Sequence, residues 1–157
     1  MRLTEYLEPE LVLLDLHTTG VEDTLHALVE HLRAKGAVDS ADDVERALVE
    51  RERNHTTSLG NGVALPHAAL DVLDRPLVLV AISPAGVEFG PRDDEESLPD
   101  RLFFLLLSPP DAGGTHIKML ARIVRLVRSP RFVETLVAAE SAPDVVEAIA
   151  REDALHV

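Results

Sequence analysis

Apolar residues recur along this chain in two rhythms, short continuous runs and stripes spaced by three or four residues, and each rhythm predicts a different element. Leu11 to Leu16 is a short run that predicts a first strand. Val21, Leu25, Leu28 and Leu32 form a helical stripe, opened by Thr19 and Glu22 at capping-box spacing and stopped by Gly36. A second helix is predicted from Ser40, with Asp42 and Asp43 suited to the positive end of its dipole. Its apolar positions are Val44, Ala47 and Leu48, and continuing the stripe by three and then four residues reaches Arg51 and His55. A stripe that faces the protein is thus expected to end in a cation.

Residues 54–61 read as a polar turn with glycines at Gly60 and Gly62, followed by a strand from Val63 to Ala68 with Val63, Leu65 and His67 on one face. Leu77 to Ile82 and Arg101 to Leu107 are nearly continuous apolar runs, as expected of strands covered on both faces. Between them, Glu88 to Asp100 contains Asp93-Asp94-Glu95-Glu96 and two prolines, and reads as an exposed loop. After Pro109 to Gly114, Thr115 is a natural N-cap and His116 the first residue of a helix with Leu120, Ile123 and Val127 inward. Two further helices follow, one from Pro130 with Phe132, Leu136 and Val137 inward, and one opened by Ser141 and Asp144 with Val145, Val146 and Ile149 inward. Strands interleaved with amphipathic helices predict an α/β fold with helices on both faces of a central sheet.

The length of 157 residues suits one domain, 1–157, with a substantial core. A formal charge of -13 repels nucleic-acid backbone and anionic membrane alike, so neither is an expected partner. No apolar run approaches the roughly 20 residues of a membrane span, and Met1 to Tyr6 carries no secretion pattern. With no cysteine there is no disulfide and no zinc-thiolate site, which fits a cytoplasmic protein.

Candidate chemistry gathers at three residues. Pro66 cannot donate to a sheet ladder, so it marks an edge or an end, and His67 is expected where strand gives way to surface. His116 is expected at a helix N-terminus, a ready site for an anion, although an exposed helix-start histidine would look the same. Arg51 carries a fork that matches phosphate geometry; a core-edge arginine that snorkels or pairs with a carboxylate explains its position equally well. His26, His31 and His55 read as surface or supporting residues.

Other chemistries fit less well. Ser58 and Thr57 lack the glycine-flanked elbow of an α/β-hydrolase nucleophile, and a metal site from His67, His116 and Asp71 lacks any short-range pair at ligand spacing. No P-loop or dinucleotide glycine pattern appears, which disfavours an ATP-dependent kinase. Phosphoryl transfer through histidine suits the set. His67 would attack as a neutral imidazole, Arg51 and amides near His116 would hold phosphoryl oxygens, and His116 would donate a hydrogen bond. That scheme calls for no metal and no cofactor.

The residues Arg51-Glu52 and the run Thr57-Ser58-Leu59-Gly60-Asn61-Gly62-Val63-Ala64-Leu65-Pro66-His67 resemble the signature of the IIA domain of the fructose/mannitol class of the bacterial phosphoenolpyruvate-dependent sugar phosphotransferase system. That class includes the stand-alone nitrogen-regulatory IIA protein. The resemblance implies a small mixed sheet flanked by helices, the phosphotransferase/anion-transport-like IIA fold. It also implies a phosphorylated histidine at His67, an arginine beside the phosphoryl group at Arg51, and a completing histidine at His116 in Thr115-His116-Ile117-Lys118-Met119-Leu120-Ala121. The implied donor is the histidine phosphocarrier protein HPr, and the implied partner is a IIB component or a regulatory target. Ser58 stands where a glycine is usual, and the acidic stretch Asp93 to Glu96 is unusually charged.

Overall fold

Every side chain from Leu102 to Leu107 is 0% exposed. Successive strand residues point to opposite faces, so burial without alternation means that both faces of this strand are covered. In the computed structural model, which describes residues 2–90 and 98–156, this run is the centre of strand β5 (Leu98–Ser108). It lies antiparallel to β4 (Leu77–Val87), with Leu77 opposite Leu107 and Ile82 opposite Leu102. A fully buried leucine or phenylalanine contributes roughly 1.5–3 kcal/mol, so this strand pair is the apolar anchor of the fold.

The rest of the sheet is added in parallel. On the outer side of β4 lies β1 (Val12–Leu13), with Val12 opposite Val80. On the outer side of β5 lie β2 (Asn61–Ala64) and then β3 (His67–Ala69), with Ala64 opposite Phe103 and His67 opposite Leu106. The strand order is β1-β4-β5-β2, with β3 pairing further along β5. Around this mixed sheet are α1 (Gly20–Ala34), α2 (Ala41–Asn54), α3 (Gly113–Leu126), α4 (Pro130–Val137) and α5 (Ala142–Ala154). α1 packs on α2 and β4, α2 on β3, α3 on β5, and α4 on both β4 and β5. The α/β fold with a mixed central sheet is therefore observed.

Several expected boundaries move, each for a local reason. The strand expected over 11–16 is regular only at Val12–Leu13, because Pro9–Leu11 forms a 3-10 turn, and Leu16 rejoins β4 through a single bond from its N–H to the Ile82 carbonyl. Thr19 precedes α1 but its hydroxyl does not cap it; the Asp23 carboxylate instead accepts the Thr19 N–H at 2.9 Å. Gly36 ends the helix as expected, its φ of 66° letting the Ala37 N–H reach the Leu32 carbonyl. The single strand expected over 63–68 is split at Leu65–Pro66 into β2 and β3. Pro66 has no N–H, yet its carbonyl still accepts from the Leu106 N–H, so register along β5 survives the break.

On α2 the buried line is Val44, Leu48 and Glu52, each four residues after the last, and Arg51 is half-buried beside it. The inward stripe therefore ends in an anion, not in the expected cation, and His55 lies past the helix end, exposed. α3 begins at Gly113, two residues before the expected N-cap Thr115, so His116 sits within the first turn, not at its start. Its buried face is Met119, Ile123 and Leu126, with Leu120 half-buried. Ser141 caps α5 as expected, accepting from the Asp144 N–H, and Ser129 caps α4 in the same way, accepting from the Phe132 N–H. β4 runs five residues past its expected end, to Val87, and β5 begins at Leu98, inside the stretch read as a loop, so that Asp100 is a buried strand residue. The acidic stretch Asp93 to Glu96 lies outside the described residues.

Candidate functional site

β3 and α3 each carry one histidine to the same end of β5. His67 opens β3, paired with Leu106, and His116 lies in the first turn of α3, which follows β5 through the 3-10 turn Pro110–Ala112. Their imidazole centroids are 5.6 Å apart with planes inclined by 57°. Both side chains are half-buried. Two of the three residues singled out from the sequence are therefore neighbours.

Each ring is held through the same atom. His67 Nδ1 lies 2.8 Å from the Leu65 carbonyl oxygen, and because a carbonyl only accepts, Nδ1 bears the proton and Nε2 the lone pair. The break at Pro66 supplies this acceptor: Leu65 turns its N–H to the Thr57 carbonyl at 3.0 Å and its own carbonyl to the histidine. His116 Nδ1 lies 2.6 Å from Oγ of Ser108, the last residue of β5. Among the described residues, neither Nε2 has a hydrogen-bond partner. Burial first, and the neighbouring His67 second, hold the His116 pKa below its ordinary value of 6.5, so this ring favours the neutral state.

Arg51 is positioned from α2, which packs against β3. Its Nη1 donates to the His55 carbonyl at 2.9 Å, which folds the guanidinium over the helix C-terminus. The remaining donors of the fork are not used by any hydrogen bond among the described residues. The pairing with a carboxylate considered from the sequence is not the arrangement observed.

The loop between α2 and β2 is fixed by a residue that sequence periodicity left out. The Glu52 carboxylate is buried and accepts from the Thr57 N–H and from the Thr57 hydroxyl, both at 2.6 Å. Thr57 is thereby committed as a structural residue and not a nucleophile. The loop then folds back on β2, with the Leu59 N–H on the Val63 carbonyl at 2.8 Å. Gly62 adopts φ 88° in this turn, a conformation that a side chain resists. Gly90 packs on the same loop, since a Cβ there would lie 2.6 Å from the Ser58 Cβ and 2.9 Å from Thr56 Oγ1.

His67, His116 and Asp71 do not converge as a three-donor group; the one such group among the described residues is His26, Glu30 and Glu45 on α1 and α2. His26 is drawn there by Glu45, whose carboxylate lies 2.7 Å from Nδ1 and raises the histidine pKa. His31 bonds the Glu10 carbonyl at 2.8 Å. Around the candidate site, sequence reasoning gave no role to Ser108 or to the Leu65 carbonyl, and named Glu52 only as part of the pair Arg51-Glu52. Ser108 leaves one visible trace, as the first hydroxyl after an apolar run and directly before Pro109-Pro110.

Residues 5–152 match the family described as "Phosphoenolpyruvate-dependent sugar phosphotransferase system, EIIA 2". The chain is 33% identical over 141 residues to the fructose-specific EIIA component of Haloferax volcanii, covering 90% of each chain. It is 34% identical over 154 residues to a nitrogen regulatory protein of Bradyrhizobium diazoefficiens, covering 96% of this chain and 95% of the relative. Among solved structures, the nitrogen regulatory protein IIA-Ntr of Neisseria meningitidis superposes with a TM-score of 0.82 at 25% identity, over 93% of this chain and 97% of that one. The paired histidines are thus set in a fold shared with both sugar-specific and regulatory relatives, and the chain belongs to the EIIA 2 family of the phosphoenolpyruvate-dependent sugar phosphotransferase system.

Proposed function

We propose that the chain carries a phosphoryl group on Nε2 of His67, accepting it from the phosphohistidine of HPr and passing it to a IIB component. The observation that carries this reading is the pair of adjacent imidazoles whose Nδ1 atoms are both engaged and whose Nε2 atoms are both open. A carbonyl on Nδ1 places the lone pair on Nε2, the requirement for a nucleophile that works near neutral pH without a separate base.

In the accepting step the Nε2 lone pair forms the new N–P bond. The N–P bond of the donor breaks, and its electron pair returns to the donor imidazole. The three equatorial oxygens need donors, and Arg51 and His116 are the groups proposed to supply them. The Leu65 carbonyl keeps its hold on Nδ1–H throughout and offsets the partial positive charge on the ring. Passing the group on reverses these roles, with a nucleophile of the partner as acceptor. No cofactor enters the scheme.

The likeness to nitrogen regulatory proteins supports a second reading, in which the same phosphorylation gates contacts with a regulatory target instead of feeding sugar uptake. Both readings share the first step. It is tested by incubating the protein with phosphoenolpyruvate, enzyme I and HPr and measuring intact mass before and after mild acid. An acid-labile phosphoryl adduct, absent from His67→Ala, is the expected result; transfer onward to a purified IIB then separates a transport role from a regulatory one.

A further inference from the structure

Ser108 touches both elements that carry the histidines. Its carbonyl accepts the Leu70 N–H at 2.9 Å and closes the end of β3, while its hydroxyl meets His116 Nδ1 at 2.6 Å. The side chain is 0% exposed, and among the described residues its Oγ makes no other hydrogen bond. That isolation decides the direction of the bond. If Nδ1–H donated to Oγ, the hydroxyl proton would be buried without an acceptor; if the hydroxyl donates to Nδ1, both groups are satisfied.

We infer that Ser108 is a positioning residue that fixes His116 as the Nε2–H tautomer, so that the nitrogen facing away from Ser108 is always a donor to the phosphoryl group. This deepens the phosphoryl-carrier reading and rests on it for its use, although the tautomer itself does not. The arrangement is complementary across the pair. The Leu65 carbonyl makes His67 Nε2 a lone-pair atom, and the Ser108 hydroxyl makes His116 Nε2 a proton-bearing atom. One ring can attack only if it is bare, and the other can hold an oxygen only if it is protonated.

The same bond resists a second proton on His116. Protonation at Nδ1 would place two donors face to face and force the buried hydroxyl to turn away. His67 on β3, with its ring centroid 5.6 Å away, opposes a second proton as well, and Asp111, on the 3-10 turn before α3, lies at an exposed position. Ser108 thereby keeps His116 a neutral donor, which holds a phosphoryl group without trapping it in an ion pair.

Long-range 1H–15N correlation of the histidine rings in the unphosphorylated protein tests this. Expected are Nε2–H for His116 and Nδ1–H for His67 in the wild type. In Ser108→Ala, His116 becomes a mixture of tautomers and its titration midpoint moves upward. Phosphoryl transfer through His67 falls about tenfold and its pH profile shifts the same way. Ser108→Cys, close in volume but a poor donor, behaves like alanine if the hydroxyl's proton matters, and Ser108→Thr restores the wild-type tautomer. An Nδ1–H tautomer of His116 in the wild type overturns the inference even if no variant folds. So does an unchanged tautomer and midpoint in Ser108→Ala. Failure of the wild type to accept phosphate, with the tautomers as stated, counts against the carrier reading alone.

Discussion

The carboxylate of Glu52 takes both the N–H and the hydroxyl of Thr57, at 2.6 Å each, across the corner where α2 hands the chain to the loop before β2. A buried anion satisfied twice by one residue acts as a hinge pin, and Leu65, which presents its carbonyl to His67, is bonded to the Thr57 carbonyl on the other side. Glu52→Ala removes two charge-assisted bonds and strands a buried N–H and hydroxyl. The expected loss is about 2–3 kcal/mol, read as a melting temperature lower by about 4–12 °C. Glu52→Gln retains an acceptor and is expected to lose less than half as much.

Arg51 differs from its neighbour in what it supports. Its guanidinium is half-buried and makes one bond to a backbone carbonyl, so Arg51→Ala is expected to leave the folding stability within about 1 kcal/mol of the wild type. Phosphoryl transfer to His67 is expected to slow by about 10²-fold, the usual cost of removing one donor to transition-state oxygens. Arg51→Lys recovers part of the rate only, because a point charge does not reproduce the fork. Stopped reactions sampled by mass spectrometry measure the rate, and a wild-type rate in Arg51→Ala would remove this residue from the site.

The sheet and most helices were legible because β4 and β5 are nearly unbroken apolar runs and the helical stripes carry clear stops, Gly36 among them. The two histidines were legible too, one after a proline and one after a glycine-rich turn. What escaped was polar burial. Periodicity counted Arg51 as the end of the inward face of α2, whereas the face rotates to Glu52, whose charge is met by a loop partner five residues on. Ser108 carried no periodic signal, since its role depends on a helix that returns to it eight residues later. Hydrogen-bond partners across a turn are set by tertiary geometry, which a pattern of apolar positions does not encode.

His116 makes a pH prediction with a definite sign. Burial and the adjacent His67 depress its pKa in the fold below 6.5. The neutral form is favoured in the folded state, so its contribution to stability is fully present above about 6.5 and is lost as pH falls through the depressed folded value. Melting temperature measured from pH 8 down to pH 5 is expected to fall on the acid side, and His116→Gln to flatten that part of the curve. A midpoint for His116 above 6.5 by NMR would contradict the assignment.

Two glycines separate close packing from open space. Gly90→Ala drives a methyl into Ser58 and Thr56 and is expected to destabilise by about 1–3 kcal/mol, disturbing the same loop that Glu52 holds. Gly113→Ala, in the first turn of α3 with helical φ and nothing within 4 Å of the added carbon, is expected to stabilise by up to about 1 kcal/mol. Chemical denaturation of the two variants beside wild type checks both signs.

On the carrier reading, His67 reacts through Nε2 because the Leu65 carbonyl holds Nδ1. This is tested most directly by phosphorylating 15N-histidine-labelled protein with phosphoenolpyruvate, enzyme I and HPr, and reading the 31P and ring 15N shifts. One phosphohistidine is expected, at His67, bonded through Nε2, with Nδ1–H retained. A phosphoryl group on Nδ1 of His67, on another residue, or on none while a known acceptor in the same tube is phosphorylated, would contradict it.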